Sequence, residues 1–199
     1  MNETIKLALI LFIITAVAAS VLAISNSVTS ERIAEADRLA SERAKMEVLD
    51  IAEEFKQLDE NRLKEIVGDN TNITEINEGY KGSDLVGYTF NIEVNGYGGP
   101  LTFMTGISKD GKITGIKVLV HEETPGLGAN STRPFFTDSF KGKPVDSEIT
   151  AVREPKADNE VQALTSATVT TNAIVDGVNL IRQIYSEKLS NLEGMEVER

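Results

Sequence analysis

The spacing of apolar residues changes several times along the chain, and each spacing predicts a different element. Leu7–Ile24 is an uncharged run of 18 residues, close to the roughly 20 apolar residues that carry a helix across a bilayer core. A cleaved signal peptide is the alternative, but its apolar region is about 7–15 residues long and follows a basic start. Here only Lys6 and the amino terminus are basic, and Glu3 opposes them. The pattern favours an uncleaved membrane anchor over residues 1–30.

Apolar residues then recur at three- and four-residue steps, which is typical of an amphipathic helix. Ser30 is a suitable N-cap for a helix that begins at Glu31, and Gly68 follows the end of the pattern. The sequence therefore predicts an amphipathic helical region over residues 31–70. Its apolar positions are Ile33, Ala36, Ala40, Ala44, Val48, Ile51, Ala52, Phe55, Leu63, Ile66 and Val67.

The centre of the chain changes to a period of two, which predicts half-buried strands. Apolar and polar residues alternate from Val86 to Val94, a turn occupies Asn95–Pro100, and a second strand covers Leu101–Ile107. Asp110-Gly111 is a strong hairpin signal before a third strand over residues 113–120, in which Gly115 is a candidate bulge. Three consecutive strands with short turns predict an antiparallel meander.

The last third of the chain predicts long loops followed by a helix. All five prolines lie between residues 100 and 155, and proline disfavours helix interiors and central strands. The stretch from His121 to Asn159 is therefore expected to consist of loops with short elements, and loops of that length are usually functional. A helical stripe runs from Ala173 to Leu192. The order of elements predicts an α+β fold, with a final domain over residues 71–199.

Composition and charge remove several classes of function. The chain of 199 residues has no cysteine, one histidine and a formal net charge of −11. Disulfides, thiolate metal sites and multi-histidine metal sites are therefore excluded. The acidic balance argues against binding of nucleic acid through its phosphates. No catalytic residue and no metal ligand is predicted.

Two segments carry candidate chemistry, and the first directly follows the third strand. The loop contains Glu123, Thr124, Pro125, Gly126, Leu127 and Gly128. Its two glycines allow the backbone to approach a ligand closely or to adopt a positive φ. A tight loop with a purely structural role is the alternative. The preceding His121 is interpreted more readily as a hydrogen-bonded structural residue than as a catalyst.

The second segment holds five hydroxyl residues in the seven positions from Thr165 to Thr171, just before the predicted last helix. A helix N-terminus presents free N–H groups and the positive end of the helix dipole, which suits a phosphate. Thr170 or Thr171 could instead cap the helix in a polar loop without a ligand. Both interpretations stay open on the residues alone. The chain has neither a Walker A pattern nor GxGxxG.

Thr165-Ser166-Ala167-Thr168 resembles the Ser/Thr-Gly-Ala-Thr flavinylation motif of the FMN-binding domain family. That family includes the G subunit of the Rnf electron-transport complex and the C subunit of the sodium-translocating NADH:quinone reductase. Further blocks resemble the family in the same order, and together they cover about residues 85 to 185. These blocks are Gly96–Pro100, Gly106-Ile107, Asp110–Gly115, Glu123–Gly128 and Phe140–Lys143.

The resemblance implies that FMN is attached covalently through a phosphoester to Thr168. It also implies a cofactor-binding set made of the two segments: Thr165, Ser166, Ala167, Thr168, Thr170, Glu123, Thr124, Pro125, Gly126, Leu127 and Gly128. Two residues depart from the motif, because Ser166 replaces its glycine and Gln162 replaces its leading aspartate. Lys141 or Lys143 could offset phosphate charge, although a surface position is the simpler interpretation.

The resemblance further implies a membrane-anchored electron-transfer subunit of an Rnf-type ion-translocating ferredoxin:NAD oxidoreductase, which is a redox subunit without turnover of its own. Other membrane subunits of the complex and a flavin transferase are the expected partners. The N-terminus is expected in the cytoplasm and the FMN domain outside it. A flavin carrier of another electron chain, or a non-redox binding or scaffold domain anchored to the membrane, are the alternatives.

Overall fold

The computed structural model describes residues 3–190, and its longest element is the first helix. Helix α1 is continuous over Glu3–Val48. It is the one helix among the described residues that is long and apolar enough to span a membrane. The chain divides into two compact units between Ser41 and Glu42. Within the first unit, Arg32 and Glu35 form an exposed ion pair, with 3.8 Å between Nη1 and Oε2.

The predicted bounds of the amphipathic helical region, residues 31 and 70, do not match the ends of any helix. No helix begins at Glu31, because α1 runs through Ser30 without interruption. Ile33 of the predicted apolar stripe is 58% exposed. After Val48 the chain leaves the helix and forms strand β1 (Glu54–Gln57) and helix α2 (Glu60–Val67). The domain boundaries at residues 30 and 70 stay predictions, and no change of secondary structure marks residue 30.

The second unit is built on an antiparallel sheet of five strands in the order β1-β2-β3-β4-β5. Strands β3, β4 and β5 confirm the predicted meander and its two turns. Strands β1 and β2 were not predicted from the sequence. The remaining bounds are β2 Ile73–Lys81, β3 Asp84–Asn95, β4 Pro100–Ser108, β5 Lys112–His121, α3 Pro134–Thr137, β6 Thr150–Val152, β7 Glu160–Gln162 and α4 Thr168–Ile184.

The core lies between one face of this sheet and helix α4. Ile174, Val178 and Ile181 of α4 are buried against β3 and β4 residues such as Phe90 and Phe103. The helix ends at Ile184, and a π-helical turn covers Tyr185–Leu189. The predicted end of the stripe at Leu192 lies outside the described residues. Burial of this apolar face, rather than local propensity, holds α4 on the sheet.

The opposite face of the sheet receives the last turn of α1. Ala44 and Val48 pack on Met104, with Leu119 beside them. Gly106 and Gly115 are cross-strand partners at this point. A Cβ atom at Gly106 would collide with the carbonyl oxygen of Val48, so glycine is needed for the close approach. The bulge expected at Gly115 is one residue earlier, where a register shift leaves Thr114 unpaired.

A buried lysine ties the same turn of α1 to β2. Lys45 Nζ lies 3.0 Å from Glu75 Oε1 and 3.1 Å from Glu42 Oε1. Burial lowers the pKa of Lys45, but the hydrogen bonds that Lys45 donates to Glu75 and Glu42, and the attraction of their charges, outweigh it, so the net pKa is raised. The ion pairs therefore favour the charged lysine in the folded protein.

Candidate functional site

The fold brings the two predicted segments together at one end of the sheet. The loop after β5 and the first turn of α4 meet the turn between β3 and β4, and they enclose a cavity of about 290 Å³. The cavity is lined by Tyr97, Glu123, Thr124, Leu127, Gly128, Ser166, Ala167, Thr168, Val169 and Thr170. This volume is near the lower end of the roughly 300–1,000 Å³ range of small-molecule pockets. The cavity could therefore hold part of a cofactor while the rest stays exposed.

The N-terminus of α4 reaches this cavity without a side-chain cap. Thr168 is the first helical residue, and the N-cap position is occupied by Ala167, which has no hydroxyl. The alternative in which Thr170 or Thr171 caps the helix is therefore wrong. The first backbone N–H with an intrahelical acceptor is that of Thr171, which donates to the Ala167 carbonyl at 3.0 Å. The preceding N–H groups have no acceptor in the helix, and they carry the positive end of its dipole.

The hydroxyl groups of this segment have different surroundings. Thr171 is buried, and its Oγ1 donates to the Ala167 carbonyl and accepts from the Leu164 N–H. Thr170 is also buried and donates to Glu123 Oε2 at 2.9 Å. Thr168 is exposed, and within residues 3–190 its hydroxyl forms no hydrogen bond. Thr168 therefore carries the helical hydroxyl that is open to reaction.

Ser166 has a backbone conformation that ordinary residues avoid. Its φ is +59°, and it is the one non-glycine residue with positive φ among the described residues. A side chain in this left-handed region meets the backbone and costs about 1–2 kcal/mol. The same position is glycine in the flavinylation motif that this segment resembles. The positive φ explains the glycine of the motif, because glycine adopts this conformation without a steric cost. Ser166 adopts the same conformation with that cost.

Glu123 is a buried carboxylate that joins all three parts of the site. It is 6% exposed. Its Oε1 accepts from the N–H of Tyr97 at 2.7 Å and from that of Gly98 at 3.4 Å, and its Oε2 accepts from Thr170. Gly128 lies so close that a Cβ atom there would collide with Oε2. The carboxylate is therefore enclosed by the turn, the loop and the helix.

His121 stands just outside this arrangement. Its Nδ1 accepts a hydrogen bond from the backbone N–H of Glu123 at 3.2 Å. The imidazole thus shapes the start of the loop, which agrees with the structural interpretation of this residue. Lys141 pairs with Asp138 at 2.9 Å, and the hydrogen bond that Lys141 donates to Asp138 raises the pKa of that lysine. Neither Lys141 nor Lys143 lines the cavity.

The structure gathers most of the predicted site residues and leaves three outside. Thr165, Pro125 and Gly126 do not line the cavity, whereas the other eight predicted residues do. Tyr97 and Val169 also line the cavity, although neither was predicted as a site residue. Tyr97 is 75% exposed, and its signal in the sequence was an aromatic residue set among three glycines in a turn. Within residues 3–190, no cluster of three or more histidine, aspartate or glutamate side chains could hold a metal ion.

Comparison with known proteins defines the class of this domain. Residues 96–182 match the FMN-binding domain family. The crystal structure of Shewanella oneidensis NqrC has a TM-score of 0.53 and 15% identity, covering 74% of this chain and 98% of that one. The C subunit of the Na⁺-translocating NADH-quinone reductase from Parabacteroides distasonis has a TM-score of 0.51 and 17% identity, covering 71% and 78%. The fold is that of an FMN-binding domain.

Full-length relatives narrow the class to one family. The chain is 37% identical over 188 residues to the G subunit of the Na⁺-translocating ferredoxin:NAD⁺ oxidoreductase complex of Acetobacterium woodii, covering 90% of each chain. It is 32% identical over 184 residues to the G subunit of the ion-translocating oxidoreductase complex of Methanosarcina acetivorans, covering 89% of this chain and 92% of that one. The chain belongs to the family of G subunits of Rnf-type ion-translocating oxidoreductase complexes.

The residues around the cavity fit the group that this family name implies. Free N–H groups at an uncapped helix terminus suit a phosphate. Exposed apolar side chains of Tyr97, Leu127 and Val169 suit the face of a planar aromatic ring. Both kinds of group line the same cavity, and the Thr168 hydroxyl belongs to the same set of lining residues.

Proposed function

We propose that this protein is a membrane-anchored electron-transfer subunit of an Rnf-type ion-translocating ferredoxin:NAD⁺ oxidoreductase. Its cofactor is FMN, attached by a phosphoester to Thr168. Relatives named as G subunits of such complexes, together with the match to the FMN-binding domain, support the electron-transfer role. The linkage to Thr168 is inferred from the motif and from the surroundings of that residue.

One observation carries the choice of Thr168. Thr168 is exposed at the first position of α4, and among residues 3–190 its hydroxyl forms no hydrogen bond. Thr170 and Thr171 are buried and their hydroxyls are engaged in hydrogen bonds. A phosphate joined at Thr168 would be adjacent to the helix N–H groups, where its charge is favourable.

Esterification requires an activated donor and an external catalyst. Thr168 Oγ1 would form a bond to the FMN phosphorus of a phosphoanhydride donor as the anhydride P–O bond breaks. The other phosphate of the donor would leave with the bonding electron pair, and the hydroxyl proton would pass to a base. Glu123 is the acidic side chain that lines the cavity, and its oxygens already accept three hydrogen bonds. We therefore assign the base to a separate flavin transferase.

Bound FMN supplies one- and two-electron chemistry, which the side chains of this protein lack. The chain holds and orients it. The N–H groups of the first turn of α4 would bind the phosphate, and Tyr97, Leu127 and Val169 would contact the ring. Because the cavity is small and open to solvent beside Tyr97, part of the ring would stay accessible, which suits electron exchange with other subunits of the complex.

Apolar helix α1 supplies a single membrane anchor in this proposal. Its run of apolar residues meets the length needed for one span. We place the N-terminus in the cytoplasm and the FMN domain on the extracytoplasmic side, with other membrane subunits of the complex as neighbours. Labelling of an introduced exposed cysteine in intact cells by a membrane-impermeant reagent tests the side. Labelling only after lysis would reverse the assignment.

Covalent flavin is tested by fluorescence of the protein band after denaturing electrophoresis. The full chain is co-expressed with a flavin transferase, beside Thr168→Ala, Thr168→Ser and the control Thr150→Ala, an exposed threonine outside the motif. We expect fluorescence in the native, Thr168→Ser and Thr150→Ala proteins and a dark Thr168→Ala band. A fluorescent Thr168→Ala band would refute the site. A dark native band, with the transferase active on a known acceptor, would refute covalent attachment.

Membership of a complex is tested separately. The tagged full chain is solubilised from membranes in mild detergent and its co-purifying proteins are identified. We expect the other subunits of an Rnf-type complex to co-purify. Recovery of a flavinylated chain without those subunits would favour a carrier in another electron chain, and recovery without flavin would favour a binding or scaffold role.

A further inference from the structure

The Glu123 carboxylate is buried beside the cavity without a cationic partner. Among residues 3–190, no lysine, arginine or histidine side chain lies within ion-pair distance of it. Its partners are instead the N–H groups of Tyr97 and Gly98 and the hydroxyl of Thr170. An isolated buried charge is costly unless hydrogen-bonded. Because an apolar residue would avoid this cost, packing alone does not explain a carboxylate at this position.

The hydrogen bonds of Glu123 connect residues that are far apart in sequence. Tyr97 lies 26 positions before it and Thr170 lies 47 positions after it. The first belongs to the turn between β3 and β4, and the second to the first turn of α4. Without the carboxylate, the Tyr97 turn and the first turn of α4 would lose a group to which both are hydrogen-bonded. Hydrogen bonds to a charged group are also about twice as strong as those between neutral groups.

We propose that Glu123 is a positioning residue with an electrostatic function. Its carboxylate holds the Tyr97 turn against the start of α4, and its fixed negative charge lowers the reduction potential of the flavin in the adjacent cavity. The second part rests on the proposed function, because it requires FMN at Thr168. A negative charge in a site of low dielectric disfavours the addition of electrons nearby.

Glu123→Gln separates charge from shape. The amide oxygen can still accept from Tyr97 and Gly98, and the amide nitrogen can donate to the Thr170 hydroxyl, which is able to accept. The matched control is Glu122→Gln, since Glu122 is the adjacent residue and is exposed. Both variants change the net charge by one unit. Only the first removes the buried charge beside the cavity.

The first measurement is a spectroelectrochemical redox titration of the flavinylated full chain in detergent. We expect native protein and Glu122→Gln to share one midpoint potential, and Glu123→Gln to have a more positive one at equal flavin content. An unchanged potential in Glu123→Gln would overturn the electrostatic role. An equal shift in both variants would overturn it too, because the effect would then come from net charge.

The second measurement needs no flavin. Amide hydrogen exchange of Tyr97 and Gly98 in the full chain before flavinylation reports directly on the two bonds to Oε1. In Glu123→Ala we expect exchange at Tyr97 to be at least about tenfold faster, with Glu123→Gln close to native. Native exchange at Tyr97 in Glu123→Ala, in a protein that is otherwise folded by circular dichroism, would overturn the positioning role.

These two readouts distinguish the failure of this proposal from that of the proposed function. If the native chain carries no covalent flavin, the redox part fails with the proposed function, while the exchange experiment still decides whether Glu123 positions the turn. If flavin is present and Thr168→Ala removes it, an unchanged potential in Glu123→Gln refutes the inference alone.

Discussion

Ser166 is the residue at which a single substitution should make the protein more stable. With φ at +59°, a non-glycine residue costs about 1–2 kcal/mol relative to its preferred regions. Glycine removes that cost but adds about 0.5–1 kcal/mol of chain entropy to the unfolded state. Ser166→Gly should therefore raise the free energy of unfolding by roughly 0.5–1 kcal/mol, since the first term exceeds the second.

A series at the same position tests the reasoning by thermal unfolding of the full chain in detergent. Ser166→Ala keeps the strain and should stay within about 0.5 kcal/mol of native. Ser166→Val should be clearly less stable, because a branched side chain at positive φ is a severe outlier. For a chain of this size, about 1 kcal/mol corresponds to a shift of roughly 2–4 °C in Tm.

Thr165→Gly is the matched control for Ser166→Gly. Thr165 is the preceding exposed residue of the same segment, and its φ is not positive. Glycine there brings only the entropy cost, so we expect a loss of roughly 0.5–1 kcal/mol. Strain at Ser166 is refuted if Ser166→Gly is no more stable than native, or if both glycine variants shift Tm in the same direction by the same amount.

Four further predictions concern residues at the contact between the last turn of α1 and the sheet. Gly106→Ala should destabilise by about 1–3 kcal/mol in urea unfolding, since the new methyl group meets the Val48 carbonyl. Gly115→Ala should lower the free energy of unfolding clearly less, because a Cβ atom at Gly115 would lie 3.3 Å from its nearest neighbour, the Val48 Cα. Lys45→Met should lower the free energy of unfolding by about 2 kcal/mol, as measured by urea unfolding. Loss of one partner from a fully buried ion pair costs roughly 3–5 kcal/mol, and we expect less here because the Glu75 side chain is 21% exposed. The pKa of Lys45 is raised, so its contribution is complete below about pH 10.4 and is lost as pH rises through the folded pKa. Unfolding of the native protein across pH 9–12 should show that loss, and Lys45→Met should not.

The sheet shows which strands can be predicted from sequence. Strands β3 to β5 keep a period of two between recognisable turns, and the prediction of those strands was confirmed. In β2, a register shift between Ile73 and Glu75 interrupts the alternation. Ile73 and Ile76 are then both buried although they are three residues apart, so no period of two is visible. Strand β1 is short and polar, and its backbone pairing with β2 depends on tertiary structure.

The candidate site was predictable in its segments but not in its contacts. Each segment has an unusual local composition, which sequence analysis can detect. That Thr170 would bond to Glu123, 47 residues away, depends on how the sheet and α4 pack. Tyr97 was missed for the same reason, because nothing near it in sequence indicates that its turn meets α4. The family resemblance supplied the pairing of segments that local patterns could not.

The departures from local rules fall together at the start of α4, and they have a common explanation. The Thr171 hydroxyl donates to the Ala167 carbonyl, and the Thr170 hydroxyl donates to Glu123. Ala167 occupies the cap position, and the first turn of α4, which lines the cavity, has no side-chain cap. In natural proteins a side chain usually accepts from the free N–H groups of a helix N-terminus when no ligand does so. A helix N-terminus left without a side-chain cap beside a cavity is the part of this arrangement that favours an anionic group. This combination supports the proposed FMN phosphate at Thr168 more strongly than the hydroxyl-rich composition alone.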